Sequence, residues 1–70
     1  MDTERESITR EVGSRIRYAR KSRGMSMEEL AQAIYKTRSA ISKYENGQIS
    51  VDIATLYDIA NALKVSIYDL

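Results

Sequence analysis

One stretch constrains this chain more than any other: the residues from Met27 to Asn46, MEELAQAIYKTRSAISKYEN. Leu30, Ala31 and Ile34 fall on one face at helical spacing, and after a break Ile41 and Tyr44 resume the pattern. The break, Tyr35-Lys36-Thr37, ends in a threonine whose hydroxyl can cap a second helix. That helix is predicted over about Arg38 to Glu45, and Asn46-Gly47 stops it because both residues tolerate positive φ. The expectation is two short helices joined by a tight turn.

A chain of 70 residues makes one domain, which buries only about 60% of the surface its unfolded form exposes. It has no cysteine, histidine or proline. Disulfides, thiolate and imidazole metal sites and the commonest general base are therefore missing, and the lack of cysteine fits a reducing compartment. No strand-like run exceeds a few residues, so stability has to come from helix packing. No apolar run approaches the roughly 18 residues of a membrane span, and the acidic N-terminus is unlike a signal peptide. The remaining catalytic possibility is a Ser-Lys or carboxylate pair, but Ser42 and Lys43 are adjacent and cannot face each other on a helix. The reading is a non-enzyme with no catalytic residue, metal, cofactor or small-molecule substrate, and no membrane partner.

The formal charge of +1 hides a segregation. Residues 1–11 hold two basic residues against four acidic, a net −2; residues 12–51 hold eight against three, +5; residues 52–70 hold one against three, −2. The positive charge sits on the segment containing the helix pair. Such asymmetry suits a polyanion partner, although a solvated basic face would look the same.

In chain order, Met1 to Glu6 form a polar arm expected to be disordered. Ser7 is expected to cap the first helix, with Arg10 where a capping-box glutamate would stand. Ile8, Val12, Ile16 and Ala19 make one apolar stripe. Gly13 interrupts it at a cost of roughly 1 kcal/mol against alanine, which predicts close helix packing there. Arg15, Arg17, Arg20, Lys21 and Arg23 complement the C-terminal end of the helix dipole, and some could also lie along phosphates; Gly24 ends the helix. Met25 is expected to be buried, and Ser26 with Glu29 forms a capping box. After Gly47, Gln48 to Val51 is a link whose apolar residues close over the core. Asp52 caps a fourth helix with Ile53, Leu56, Ala60 and Leu63 on its stripe and Ile59 flanking it. Lys64-Val65 turns the chain, and Ser66 caps a last turn, Ile67 to Leu70, counted as the fifth helix. The expected fold is all-α, a compact five-helix bundle over residues 7–70 behind an arm of residues 1–6.

The pair at Met27–Asn46 has the helix-turn-helix arrangement. Successive turns of 100° place Thr37, Tyr44 and Glu45 on the core side with Ile41. Ser39, Ser42, Lys43 and Asn46 lie opposite, with Arg38 reaching out from the first turn. That outer face has no acid and only short or basic tips, as a helix entering the major groove requires; an ordinary solvated face has the same composition. An inward Glu45 needs a partner, and Arg20 is the best candidate.

From Val12 to Leu70 the chain resembles the phage repressor and Cro type of helix-turn-helix domain, also called the xenobiotic-response-element type. The matching residues are Ile16-Arg17, Arg20-Lys21, Gly24-Met25-Ser26, Glu29-Leu30-Ala31, Ile41-Ser42, Tyr44-Glu45-Asn46-Gly47, Leu56, Ala60, Ala62-Leu63 and Val65-Ser66. The resemblance implies a lambda-repressor-like bundle of five helices that binds a duplex operator, often as a two-fold dimer on a palindromic site. It assigns base reading to Arg38, Ser39 and Lys43, and phosphate contacts to Ser26, Asn46 and the Gly47-Gln48 backbone, with Met27 near the DNA. It gives Thr37 and Ser42 to phosphate or base, and it makes Arg20 and Glu45 an internal ion pair. Arg17 and Lys21, on a first helix that crosses the backbone, are expected on phosphates. Four residues depart from the pattern: Tyr35 and Lys64 where glycine is usual, Val51 where proline is usual, and Met27 where some relatives carry glutamine. A left-handed backbone at Tyr35 would carry strain.

The function expected is sequence-specific binding of double-stranded DNA by a transcriptional regulator. The regulator is read as a repressor and homodimer pairing through Ile67 and Tyr68, cytoplasmic on a bacterial or phage nucleoid. The alternative is a protein-interaction module of the same fold, an antitoxin-like partner or a dimerisation domain.

Overall fold

The computed structural model describes residues 3–70. Within them the chain forms four α-helices: α1 (Glu4–Ser22), α2 (Met27–Ala33), α3 (Arg38–Glu45) and α4 (Ile53–Leu63). A final 3-10 turn covers Ile67–Asp69, and there is no strand among the described residues. The expected fifth helix is therefore a single turn. The Asp69 and Leu70 amides donate to the Ser66 and Ile67 carbonyls, three residues back, at 2.9 and 3.1 Å. Ser66 and Asp69 close a reciprocal cap around it.

The first helix begins earlier than the expected Ser7 cap. Thr3 caps it, accepting the Glu6 amide at 3.1 Å, and the Ser7 amide donates to the Thr3 carbonyl as an ordinary helical bond. Glu4 and Glu6 in the first turn suit the positive end of the helix dipole. Of the arm expected over residues 1–6, Met1 and Asp2 lie outside the described residues.

One hydrophobic core joins the helices, with Ile16, Leu30, Ile41, Ile59 and Leu63 fully enclosed. α3 packs against α1 and α2, while α4 lies against both of those. Gly13 is where α1 and α3 meet most closely. A side chain there would fall on the carbonyl oxygen of Tyr44 and within 2.8 Å of that of Glu45. The expected close approach is present, and it explains the glycine.

Several apolar residues are placed otherwise than expected. Ile59 is a core residue rather than a flank, and Ile53 is 68% exposed, because α4 turns Thr55, Ile59, Ala60 and Leu63 inward. Apolar residues on more than one side leave such a helix's rotation to its neighbours. Ile8 and Ile49 also lie largely in solvent, and Met25 is only half-buried.

All four helices end in the same closure, the pair of bonds that satisfies the last carbonyls. Gly24 and Met25 donate to Lys21 and Arg20; Tyr35 and Lys36 to Gln32 and Ala31; Gly47 and Gln48 to Tyr44 and Lys43; Lys64 and Val65 to Asn61 and Ala60. The closing residue has positive φ each time: 65° and 71° at Gly24 and Gly47, 58° and 57° at Tyr35 and Lys64. The strain expected of a tyrosine in the helix-turn-helix corner is thus present, and Lys64 repeats it.

Candidate nucleic-acid interface

The inner side of α3 fixes how its outer side is presented. Ile41 is enclosed and Tyr44 and Glu45 are buried. Glu45 takes two hydrogen bonds from Arg20, Nε to Oε2 at 2.6 Å and Nη2 to Oε1 at 3.0 Å. Arg20 Nη1 also donates to the Met25 carbonyl at 2.8 Å. The bond to Glu45 outweighs burial and raises the Arg20 pKa, so the guanidinium stays charged. This buried pair ties the end of α1, the loop before α2 and the end of α3 together. With the Gly13 contact it leaves α3 no freedom to rotate.

Arg38, Ser39, Lys43 and Asn46 are exposed on the outer side, and Ser42 is half-buried there. The Asn46 amide nitrogen donates to Ser42 Oγ at 3.4 Å. Thr37 caps α3, its hydroxyl accepting the Ala40 amide at 3.1 Å. Ser26 caps α2, accepting the Glu29 amide at 3.0 Å while the Glu29 carboxylate accepts the Ser26 amide at 2.9 Å. The Ser26 amide and hydroxyl hold the Glu29 carboxyl below its ordinary pKa. In the α3 cap the Thr37 hydroxyl oxygen is an acceptor, which leaves its hydrogen for an acceptor outside the cap, such as a phosphate oxygen.

Two of the expected contacts fall on groups that the fold also uses. The Gly47 and Gln48 amides are consumed by the closure of α3, donating to Tyr44 and Lys43 at 3.2 and 2.9 Å. The Gln48 side chain is exposed. Gly47 itself packs on α1, since a Cβ there would lie 2.6 Å from Cγ and 3.0 Å from Cα of Arg10. Met27 is half-buried and packs against the core, so its side chain is partly committed to the fold.

The basic residues in the second half of α1 and at its C-cap divide in the same way. Arg15 pairs with Glu11 at 2.9 Å, Arg20 with Glu45, and Arg23 donates to the Lys64 carbonyl at 2.8 Å. Arg17 and Lys21, one turn apart, are exposed.

The residue that sequence reasoning did not single out is Glu28. Its Oε1 lies 3.8 Å from Arg38 Nε, so an acid from α2 stands beside an outer face that has none of its own. Only the angle between α2 and α3 brings the two together, and no local pattern encodes that angle.

The helix-turn-helix family model matches residues 16–70. An uncharacterized transcriptional regulator in the ATPase CF(0) region of Rhodospirillum rubrum is 41% identical over 56 residues, covering 80% of this chain and 52% of that protein. An SPbeta prophage-derived regulator of Bacillus subtilis, YonR, is 37% identical over 54 residues, 77% of this chain and 50% of its own. The chain thus spans about half the length of these curated relatives. Among solved structures, the restriction-modification controller protein C.AhdI of Aeromonas hydrophila superposes with a TM-score of 0.90 at 27% identity, covering 96% of this chain and 97% of its own. The clp gene regulator ClgR of Corynebacterium glutamicum gives 0.86 at 27% identity, over 89% and 80%.

Proposed function

The chain belongs to the helix-turn-helix family of DNA-binding transcriptional regulators, and from that premise we propose that it is a repressor whose α3 reads a specific duplex operator as a homodimer on a palindromic site. The observation that carries the reading is the outer face of α3: Arg38, Ser39, Lys43 and Asn46 are exposed on a helix locked from behind by the buried Arg20–Glu45 pair. A fixed helix with polar tips is what direct reading of base edges in the major groove requires.

In this reading Arg38, in the first turn of α3, offers its planar fork to O6 and N7 of guanine, and Ser39 and Lys43 read neighbouring bases. The Ser26 and Thr37 hydroxyls, Ser42, Asn46 and the Gln48 side chain hold phosphates, with Met27 close to the sugar-phosphate backbone. Arg17 and Lys21 lie along the backbone that α1 crosses. The protein acts in the cytoplasm, on a bacterial or phage nucleoid. No helix among the described residues is long and apolar enough to cross a membrane.

Of the Ile67–Tyr68 pair expected at the dimer face, Ile67 packs partly against the core and Tyr68 is 90% exposed. Ile53 and Tyr57, one turn apart on α4, are further exposed apolar residues available to a second copy.

Selection of bound duplexes from a random pool tests the whole reading. A palindrome should emerge whose half-sites lie about 34–36 Å apart, one turn of duplex. Salt-independent binding, or enrichment of no sequence, would favour the protein-interaction module instead.

A further inference from the structure

Glu28 is an acid where the proposed operator would bring its phosphates, and its use to the fold is confined to its place in the first turn of α2, at the positive end of the helix dipole. The basic segment between residues 12 and 51 contains three acids. Glu45 is buried against Arg20, and Glu29 closes the cap of α2. Glu28 alone is left, with a side chain 72% exposed and facing Arg38 of α3, itself 63% exposed. Glu28 Oε1 faces Arg38 Nε at 3.8 Å, close enough for an ion pair and beyond a hydrogen bond. In open solvent such a pair adds little to stability, so stability does not account for it.

We infer that Glu28 is a positioning residue for base reading: it steers the Arg38 guanidinium away from phosphate and towards one base, raising discrimination at the expense of general affinity. The inference rests on the DNA-binding function proposed above. Arg38 is long and flexible, and an untethered guanidinium near duplex DNA finds the nearest phosphate on any sequence. The carboxylate lies at the Nε edge of the guanidinium. The Nη1–Nη2 edge remains available, and that edge can present two parallel N–H donors to guanine O6 and N7. The same carboxylate repels phosphates that approach the start of α3. Non-specific complexes, held by phosphates alone, therefore lose more than the cognate complex, in which Arg38 has a base to bind.

The test uses the whole chain, its selected operator and a randomised duplex, with Glu28→Gln, Arg38→Ala and the double variant, each at two salt concentrations. Glu28→Gln should bind the randomised duplex more tightly. Its ratio of cognate to random affinity should fall by about 5- to 10-fold, part of the discrimination one good bidentate contact supplies. The preference should relax at the base pair that Arg38→Ala relaxes, and in the Arg38→Ala background Glu28→Gln should leave the ratio unchanged. Melting temperatures should match the wild type, which excludes a folding effect. An equal gain on both duplexes would overturn the inference, leaving Glu28 as simple repulsion and the DNA-binding reading intact. A fall in the ratio that persists without Arg38 would overturn it as well, by assigning the effect to another contact. Failure of the wild type itself to prefer any duplex would instead remove the function on which the inference rests.

Discussion

On the inner side of α3, Ile41, Tyr44 and Glu45 are buried against α1, and no buried side-chain polar atom among the described residues lacks a partner. On its outer side Arg38, Ser39 and Lys43 are exposed, and Arg38 faces the similarly exposed Glu28. One face is specified by the fold down to individual hydrogen bonds, while the other could be altered at little cost to folding. Polar residues that the fold does not need, on a helix that the fold will not let turn, mark a surface kept for contact with something else.

Four substitutions and a titration can break or sharpen that contrast. Glu45→Ala should have the largest effect, because it strands the buried Arg20 charge at a cost of about 3–5 kcal/mol. A domain of this size holds only about 0.05–0.15 kcal/mol per residue, so the variant should melt far below the wild type. Arg20→Met with Glu45→Leu should recover much of the loss, although the Met25 carbonyl also loses a donor. A Glu45→Ala protein that unfolds in urea like its parent would show that the inner face is not held as described.

Gly13→Ala comes next, at about 1–3 kcal/mol for overpacking. The obstacles are backbone carbonyls of α3, which cannot swing aside as a flexible side chain would. Differential scanning calorimetry reads the loss directly, and an unchanged transition would mean that α1 and α3 can separate freely.

Arg38→Ala moves to the outer face, where the contrast requires binding to change and stability to stay. The cognate operator should lose about 1–3 kcal/mol with preference relaxed at one base pair, while the melting temperature holds. Equal losses on cognate and randomised duplexes would make Arg38 a phosphate anchor and pass base reading to Ser39 and Lys43.

Tyr35→Gly should stabilise. It relieves a left-handed residue worth about 1–2 kcal/mol, offset by roughly 0.5–1 kcal/mol of extra chain entropy. The ring is 95% exposed and has little contact to lose. A fall in melting temperature on this change would show that the turn depends on the tyrosine for something other than its backbone.

The smallest effect belongs to the caps that set where α2 and α4 begin. Hydrogen bonds from Ser26 to Glu29, and from the Thr55 hydroxyl and amide to Asp52, hold both carboxyls below their ordinary pKa. The unfolded chain therefore takes up these protons at higher pH than the folded one, so stability rises with pH across that range. The contribution should be complete above the usual carboxylate range near pH 4 and lost as pH falls through the lower folded values. Urea midpoints measured from pH 6 down to pH 2 should show this loss, reduced in Glu29→Gln.

The features determined by the sequence alone are those that act within four residues. The Ser26–Glu29 box, the caps at Thr37 and Asp52 and the stops at Gly24 and Gly47 set the end of α1, the start of α2, both ends of α3 and the start of α4, because each cap bonds its own first or last turn. Locality also has limits: Thr3 and Ser7 can both cap a helix, and the acids at Glu4 and Glu6 favour the earlier site. The inward side of α3 was legible because an acid at position 45 shares a face with Ile41 and needs a cation. What only the tertiary structure decided is how each helix is turned and crossed against the others. Periodicity relates residues within one helix but carries no reference to its neighbours. For that reason α4 buries Ile59 and exposes Ile53, Gly13 meets the backbone of α3 rather than another wall, and Glu28 comes to stand beside Arg38.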